Sequence, residues 1–382
     1  MNRTTIQTIS EIVLILLFFT VIYAPPLTCI LHPDKKWSNT EKRILASFPE
    51  IPHNLKALSK FFKQFEDYYN DHFGFREKLI YRYNREMEKR FGLSGVSSVM
   101  AGKEGWYFFA RDKVLDDFRG ITPLTEQQLV SWKADLVRKK DWLAKQGIQY
   151  LFVLPPSKPT IYPEYLPEAF QNAKGVTHLE QLIDYLDKDP DVDIVNLKPE
   201  LYKAKTETQL YHKTDTHWNK YGAFVAYKEI INQISRCFPE DPFKYDFYFH
   251  DTLKEGPGGD LAKMLDLHKT LKEMNPDLKE RHYCAKSMEL HLQLKDFRKE
   301  RKKRKGREPF MKGCKDARLR ALVFRDSAFF DIEPFFSENF NQVVYLWQTY
   351  DQKTVERLIE YFQPHMVIEE RGERKCFEDQ LD

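Results

Sequence analysis

Two continuous apolar runs, Tyr150-Leu151-Phe152-Val153-Leu154 and Ala321-Leu322-Val323-Phe324, constrain this chain more than any other feature. Runs of this length without polar alternation belong to strands covered on both faces. Shorter strand-like segments occur at Val192–Val195, Val343–Leu346 and Met366–Ile368. Between them, the apolar spacing predicts helices over 125–146, 178–187, 218–236 and 353–362. Strands alternating with helices imply an α/β domain, a mostly parallel sheet between two helical layers. In such sheets reactive groups gather beyond the carboxyl ends of the strands. Ser327 falls there, and so does Pro155 to Lys158.

The N-terminal region has a different character. Ile12 to Leu31 is a 20-residue stretch without a formal charge, long enough to cross a bilayer. Pro25 and Pro26 interrupt it, and a cleavage site after Ala24 is poor because Ile22 stands where a small residue belongs. The reading is an uncleaved single-pass anchor over 1–31, with the rest of the chain exported; the alternative is a removed signal peptide. From Asn54 to Phe91, Leu58, Phe61, Phe62, Phe65, Tyr68 and Tyr69 recur at helical steps, broken at Asp71–Arg76, which predicts a helical stalk within 32–95. The remaining region, 96–382, has the length and the 14% aromatic content for one large core.

Charge gives no argument for nucleic acid as a partner. The chain carries a net +3, but Lys295 to Glu308 alone contributes +6, leaving the remainder acidic. That basic run lies in an expected insertion over about 285–313, read as a solvated loop with lipid headgroups or an anionic polymer as alternative contacts. Outside the apolar stretch, which holds Cys29, stand Cys237, Cys284, Cys314 and Cys376. An even number suits an oxidising compartment, and Cys284 with Cys314 brackets the basic run. No cysteine pair has zinc-site spacing, and no metal or cofactor is expected.

The chemistry rests on two short segments. Asp215-Thr216-His217 places a carboxylate and an imidazole two residues apart before the helix expected from Trp218, where Asp215 or Thr216 could equally serve as an N-cap. Arg325-Asp326-Ser327 places a serine just past a buried strand. A serine activated by an imidazole, itself oriented by a carboxylate, is the arrangement acyl transfer needs. Ser327 is then the nucleophile, His217 the general base and Asp215 its orienting acid. The order along the chain is no objection, because geometry defines such triads.

These residues have a further context. Gly105-Trp106-Tyr107-Phe108, Pro155-Pro156-Ser157-Lys158 with Ile161-Tyr162-Pro163, Thr214-Asp215-Thr216-His217-Trp218-Asn219, Gly259-Asp260-Leu261 and Asp326-Ser327 occur in that order. The set resembles the alginate O-acetyltransferases of the AlgJ and AlgX type, over about residues 55–375. The resemblance implies a three-layer SGNH-hydrolase-like domain, anchored at the inner membrane and facing the periplasm. It implies acetylation of an exported polysaccharide, with a polytopic membrane O-acyltransferase supplying the acyl group. Arg325 departs from the family's usual glycine. Arg325 and Lys158 are candidate substrate contacts, and Trp218, Tyr162 and Tyr165 candidate stacking surfaces for sugar rings. The alternatives are a polysaccharide acetylesterase and a non-catalytic polysaccharide-binding subunit of a secretion complex.

Overall fold

The computed structural model describes residues 3–376 except 32–35, 39–42, 53, 55–57, 92–93, 95, 112, 188–191, 193, 246–248, 279–283 and 290–307. Lys295 to Arg307, most of the basic run, therefore lies outside the described residues.

Three helices come first: α1 (Arg3–Leu31), α2 (Leu58–His72) and α3 (Arg76–Phe91). Strands β1 (Val99–Ala101) and β2 (Tyr107–Phe109) form a hairpin. Then follow α4 (Glu126–Ala144), β3 (Gln149–Leu154), α5 (His178–Leu186), β4 (Ile194–Asn196) and α6 (Lys220–Cys237). A two-stranded ribbon, β5 (Phe249–Pro257) with β6 (Lys272–Leu278), precedes β7 (Lys286–Met288), β8 (Phe310–Gly313) and β9 (Arg320–Phe324). The order closes with β10 (Gln342–Leu346), α7 (Gln352–Phe362) and β11 (Met366–Glu370).

One seven-stranded sheet runs β4-β3-β11-β9-β10-β8-β7. The strands from β4 to β10 pair in parallel, while β8 and β7 continue the edge in antiparallel register. The sheet is thus mixed, parallel through its centre and antiparallel at one edge. Period-two geometry sorts the apolar runs into two layers. Leu151, Val153, Ala321 and Val323 pack with Ala223, Ala226, Ile230 and Ile234 of α6. Tyr150, Phe152, Leu322 and Phe324 pack on the opposite face with Trp132 and Leu136 of α4 and Leu358 of α7. Every member of these runs is buried, which explains why the sequence shows no polar alternation.

Local signals set the helix ends. Thr125 and Thr177 each form a capping box with the residue three positions on, Gln128 and Glu180, so α4 and α5 begin where their sequences allow. The start of α6 differs from expectation. Asn219, not Asp215 or Thr216, caps it, accepting from the amides of Tyr221 and Gly222. The helix therefore begins at Lys220 and leaves Asp215 to His217 in the preceding loop.

The apolar N-terminal stretch also differs in one respect. Pro25 and Pro26 do not end α1 but lie inside it, in its last turns, where they remove two backbone donors without stopping the helix. Its span Thr8–Thr28 is long and apolar enough to cross a membrane, alone in this among the described residues. The next two helices differ: α2 has no buried residue, whereas Asn84 on α3 donates to the Leu265 carbonyl.

Candidate active site

β9 delivers Arg325-Asp326-Ser327 beyond the carboxyl edge of the sheet, and the neighbouring strand β11 braces the turn. Glu370 at the end of β11 accepts the Asp326 amide at 2.8 Å. The Asp326 carboxylate in turn accepts the amides of Ala328 at 2.7 Å and Gly372 at 3.2 Å. A Cβ at position 372 would lie 3.0 Å from Asp326 Oδ2, so glycine permits this approach. Burial, followed by the nearby Asp326 charge, pushes the Glu370 carboxyl well above the usual carboxylate range. Ser327 is left at the tip of the turn. Among the described residues, no acceptor is paired with its amide N–H.

The loop before α6 supplies the other half. Asp215 accepts from the backbone amides of His217 at 3.0 Å and Asp260 at 2.7 Å, and from the His217 ring at 2.7 Å. Asp260 returns the contact by accepting the amide and hydroxyl of Thr216, each at 2.8 Å. A Cβ on residue 259 would meet Asp215 Cβ at 2.4 Å, so only glycine lets the Gly259-Asp260 backbone close on the carboxylate.

The two halves meet at the imidazole. His217 Nδ1 faces Asp215 Oδ1 at 2.7 Å, and Nε2 faces Ser327 Oγ at 2.9 Å. An ionised carboxylate only accepts, so Nδ1 carries the proton and Nε2 turns its lone pair toward the serine hydroxyl. Burial alone would push the Asp215 carboxyl up. The His217 hydrogen bond and charge, with the Asp260 and His217 amides, outweigh it and hold the carboxyl well below the usual range. Burial likewise opposes charge on the His217 ring, but the Asp215 hydrogen bond and charge win and raise its pKa above 6.5, against the nearby Arg374 cation.

The four residues expected to touch substrate have other work. Lys158 is only 2% exposed, and its ammonium donates to the carbonyls of His212, Lys213 and Asp215 at 3.0, 3.1 and 2.6 Å. Arg325, 4% exposed, stacks on Trp347 with its guanidinium 4.5 Å from the ring centroid. Trp218 is buried and donates its indole N–H to the Ala328 carbonyl at 3.0 Å, tying the two halves of the site together. Tyr162 is buried and accepts the Leu210 amide at 2.8 Å. Trp218 and Lys158 border the site but turn their polar atoms inward. Tyr165 stacks on Trp106 at 4.5 Å.

A cavity of about 80 Å³ opens beside Ser327 and His217, with Pro155, Ser157 and Arg374 among its walls. Arg374 was not legible as a site residue. It follows β11 by a few positions, and its guanidinium lies 4.8 Å from the Phe109 ring centroid. Glu373 beside it is buried and accepts from the Ser157 amide and hydroxyl and the Thr160 hydroxyl. Asp215, His217 and Asp260 present ligand atoms within 4.8 Å of one another, the spacing of a metal group. Their oxygens already accept from Thr216, His217 and Asp260 itself, so the cluster reads as a hydrogen-bonded network.

The disulfide joins Cys284 to Cys314, as the bracketing of the basic run suggests. Cys376 is a buried thiol, raised by that burial.

Comparison with known proteins places this architecture. A family model described as the SGNH hydrolase-like domain of acetyltransferase AlgX matches residues 99–294, half of the chain, including Asp215 and His217 but ending before Ser327. The probable alginate O-acetylase AlgJ of Azotobacter vinelandii is 28% identical over 185 residues, 48% of this chain and 45% of the relative. Its counterpart from Pseudomonas syringae pv. tomato is 24% identical over 236 residues, 61% of this chain and 58% of the relative. This chain thus spans about half the length of the curated relatives it matches. The solved O-acetyltransferase domain of Pseudomonas putida AlgJ covers 74% of this chain and 92% of its own length, at 19% identity and a TM-score of 0.46. On the family match and the site order together, the chain belongs to the AlgX and AlgJ type of SGNH hydrolase-like acetyltransferase domains.

Proposed function

We propose that this protein is an O-acetyltransferase that moves an acetyl group, through an acyl-enzyme on Ser327, to hydroxyls of an exported polysaccharide. The observation that carries the reading is the continuous Asp215–His217–Ser327 hydrogen-bonded line. Ser327 Oγ attacks the acyl carbonyl of the donor while His217 Nε2 takes its proton. Asp215 holds the ring and stabilises the imidazolium that forms. The Ser327 amide N–H is the first donor available to the oxyanion. His217 then returns the proton to the departing group. In the second half-reaction it takes the proton of a sugar hydroxyl, whose oxygen attacks the acyl-serine, and it gives that proton to Ser327 Oγ as the acyl–oxygen bond breaks.

Location supports transfer over free hydrolysis. Helix α1 as an inner-membrane anchor keeps the domain beside a membrane acyl donor, which we assign to a polytopic O-acyltransferase. A disulfide between Cys284 and Cys314 suits an oxidising periplasm. Alginate, named for the curated relatives, is the first acceptor to test.

Incubation with a chromogenic acetyl ester, followed by intact and peptide mass spectrometry, tests the proposal. An acetyl adduct on the Ser327 peptide, absent in Ser327→Ala, is expected. Full turnover by Ser327→Ala, with no adduct in the unsubstituted protein, would remove the serine mechanism.

A further inference from the structure

We infer that Arg374, with Lys375 beside it, holds the carboxylate of a uronic acid acceptor in the cavity at Ser327, so that the site selects an anionic polysaccharide over a neutral one. The inference rests on the acyl-enzyme reading above and adds to it the chemical class of the acceptor.

The chain fixes Arg374 from two directions. Two residues before it, the Gly372 amide donates at 3.2 Å to Asp326, the neighbour of Ser327. One residue before it, Glu373 accepts from the Ser157 amide at 2.6 Å and the Ser157 hydroxyl at 2.8 Å. The short helix Glu373–Cys376 is therefore tied both to the nucleophile turn and to the loop after β3. Arg374 and Lys375 line the same cavity as Ser327 and His217. The Arg374 charge reaches the imidazole, where it acts against protonation.

The carboxylates around this cavity already have donors. Asp326 accepts the amides of Ala328 and Gly372, Glu373 accepts from Ser157 and Thr160, and Asp215 accepts from His217 and Asp260. Among the described residues, no carboxylate pairs with the Arg374 guanidinium. It lies instead over Phe109, 4.8 Å from the ring centroid, and Phe109 also lines the cavity. A guanidinium stacked on an aromatic face keeps its N–H edge free, and that edge matches the two oxygens of a carboxylate. Lys158, the other cation of the wall, donates to three carbonyls and turns away.

A bound carboxylate would also serve the chemistry. Arg374 opposes the imidazolium that forms when His217 takes a proton. An acceptor whose carboxylate sits on Arg374 offsets that opposition as the ring takes the proton of the sugar hydroxyl. A neutral acceptor does not.

The test lets one acyl-enzyme choose between two acceptors. The full chain is acetylated with a chromogenic ester in an equimolar mixture of an alginate hexasaccharide and its methyl-esterified, neutral form. Mass spectrometry then gives the ratio of the two acetylated products. Competition cancels any change in His217 itself, because both sugars meet the same acyl-enzyme. The unsubstituted chain should favour the uronate by about tenfold, the lower end of what one hydrogen bond to a charged group contributes. Arg374→Gln should bring the ratio near one, and Arg374→Lys should keep part of the preference. No preference in the unsubstituted chain, or the same preference in Arg374→Gln, overturns the inference and leaves the Ser327 mechanism standing. If no acyl-enzyme forms, the Ser327 reading fails separately, and titration of the full chain with the hexasaccharide decides the contact. Binding weakened several-fold by Arg374→Gln supports it; equal or absent binding overturns it.

Discussion

His217 and Ser327 stand 110 residues apart in the chain, and the ring Nε2 of one lies 2.9 Å from the hydroxyl of the other. The contact joins a loop before α6 to a turn after β9, two segments with no local reason to meet. Its bracing comes from elsewhere: Asp260 secures the histidine side through Thr216, and Glu370 secures the serine side through Asp326.

The strongest consequence concerns the triad itself. Ser327→Ala should reduce acetyl-ester turnover by about 10⁴-fold or more, and Asp215→Asn by a comparable factor by presenting the wrong ring tautomer. Steady-state kinetics with matched circular dichroism spectra would check both. Near-normal kcat in Asp215→Asn would mean that the histidine needs no oriented partner.

The pH profile should reflect the imidazole. A general base must be unprotonated, so kcat/KM rises with pH through the His217 pKa, placed above 6.5 by Asp215. The Arg374 cation opposes protonation of the ring, so Arg374→Gln should move that midpoint further up. A downward shift, read from rate profiles between about pH 5 and 9, would contradict this sign.

Lys158 should govern the alkaline side. Burial first, against the charges of Asp215, Glu273 and Asp260, lowers its pKa to about 8. As an ammonium it has three donors for three carbonyls; as an amine it has two, and the loop carrying Asp215 loses a tether. Turnover should therefore decline above about pH 8, and Lys158→Met should lower it by roughly tenfold at neutral pH by leaving buried carbonyls unpaired. Flat activity to pH 10 in the unsubstituted chain would refute the tether.

Loss of the disulfide should act on stability. The bond closes a loop with a sequence separation of 30, for which chain entropy suggests about 3–4 kcal/mol. Replacing both Cys284 and Cys314 by alanine should lower the thermal midpoint in scanning calorimetry. The triad distances do not depend on the bond, so acetyl-ester kcat at low temperature should persist.

The sheet was legible because its strands are buried on both faces, and burial of that kind leaves continuous runs such as Tyr150–Leu154 that no helix or loop needs. The capping boxes at Thr125 and Thr177 were equally local, since donor and acceptor lie three residues apart. The start of α6 was less so: Asp215, Thr216 and Asn219 can all cap a helix, and the choice of Asn219 frees the other two for Asp260 and His217. Lys158 and Arg325 are buried against the ordinary preference of long cations for water. Only three converging carbonyls and a facing indole make their burial tolerable, and those partners are brought by distant segments. Arg374 had no local pattern to mark it, because what matters about it is its place on the wall of the cavity beside Ser327. Sequence by itself determined the layers and the candidate reacting groups, whose chemistry is written in residue type. Tertiary structure decided which of those groups meet, because proximity across 110 residues depends on the packing of the whole sheet.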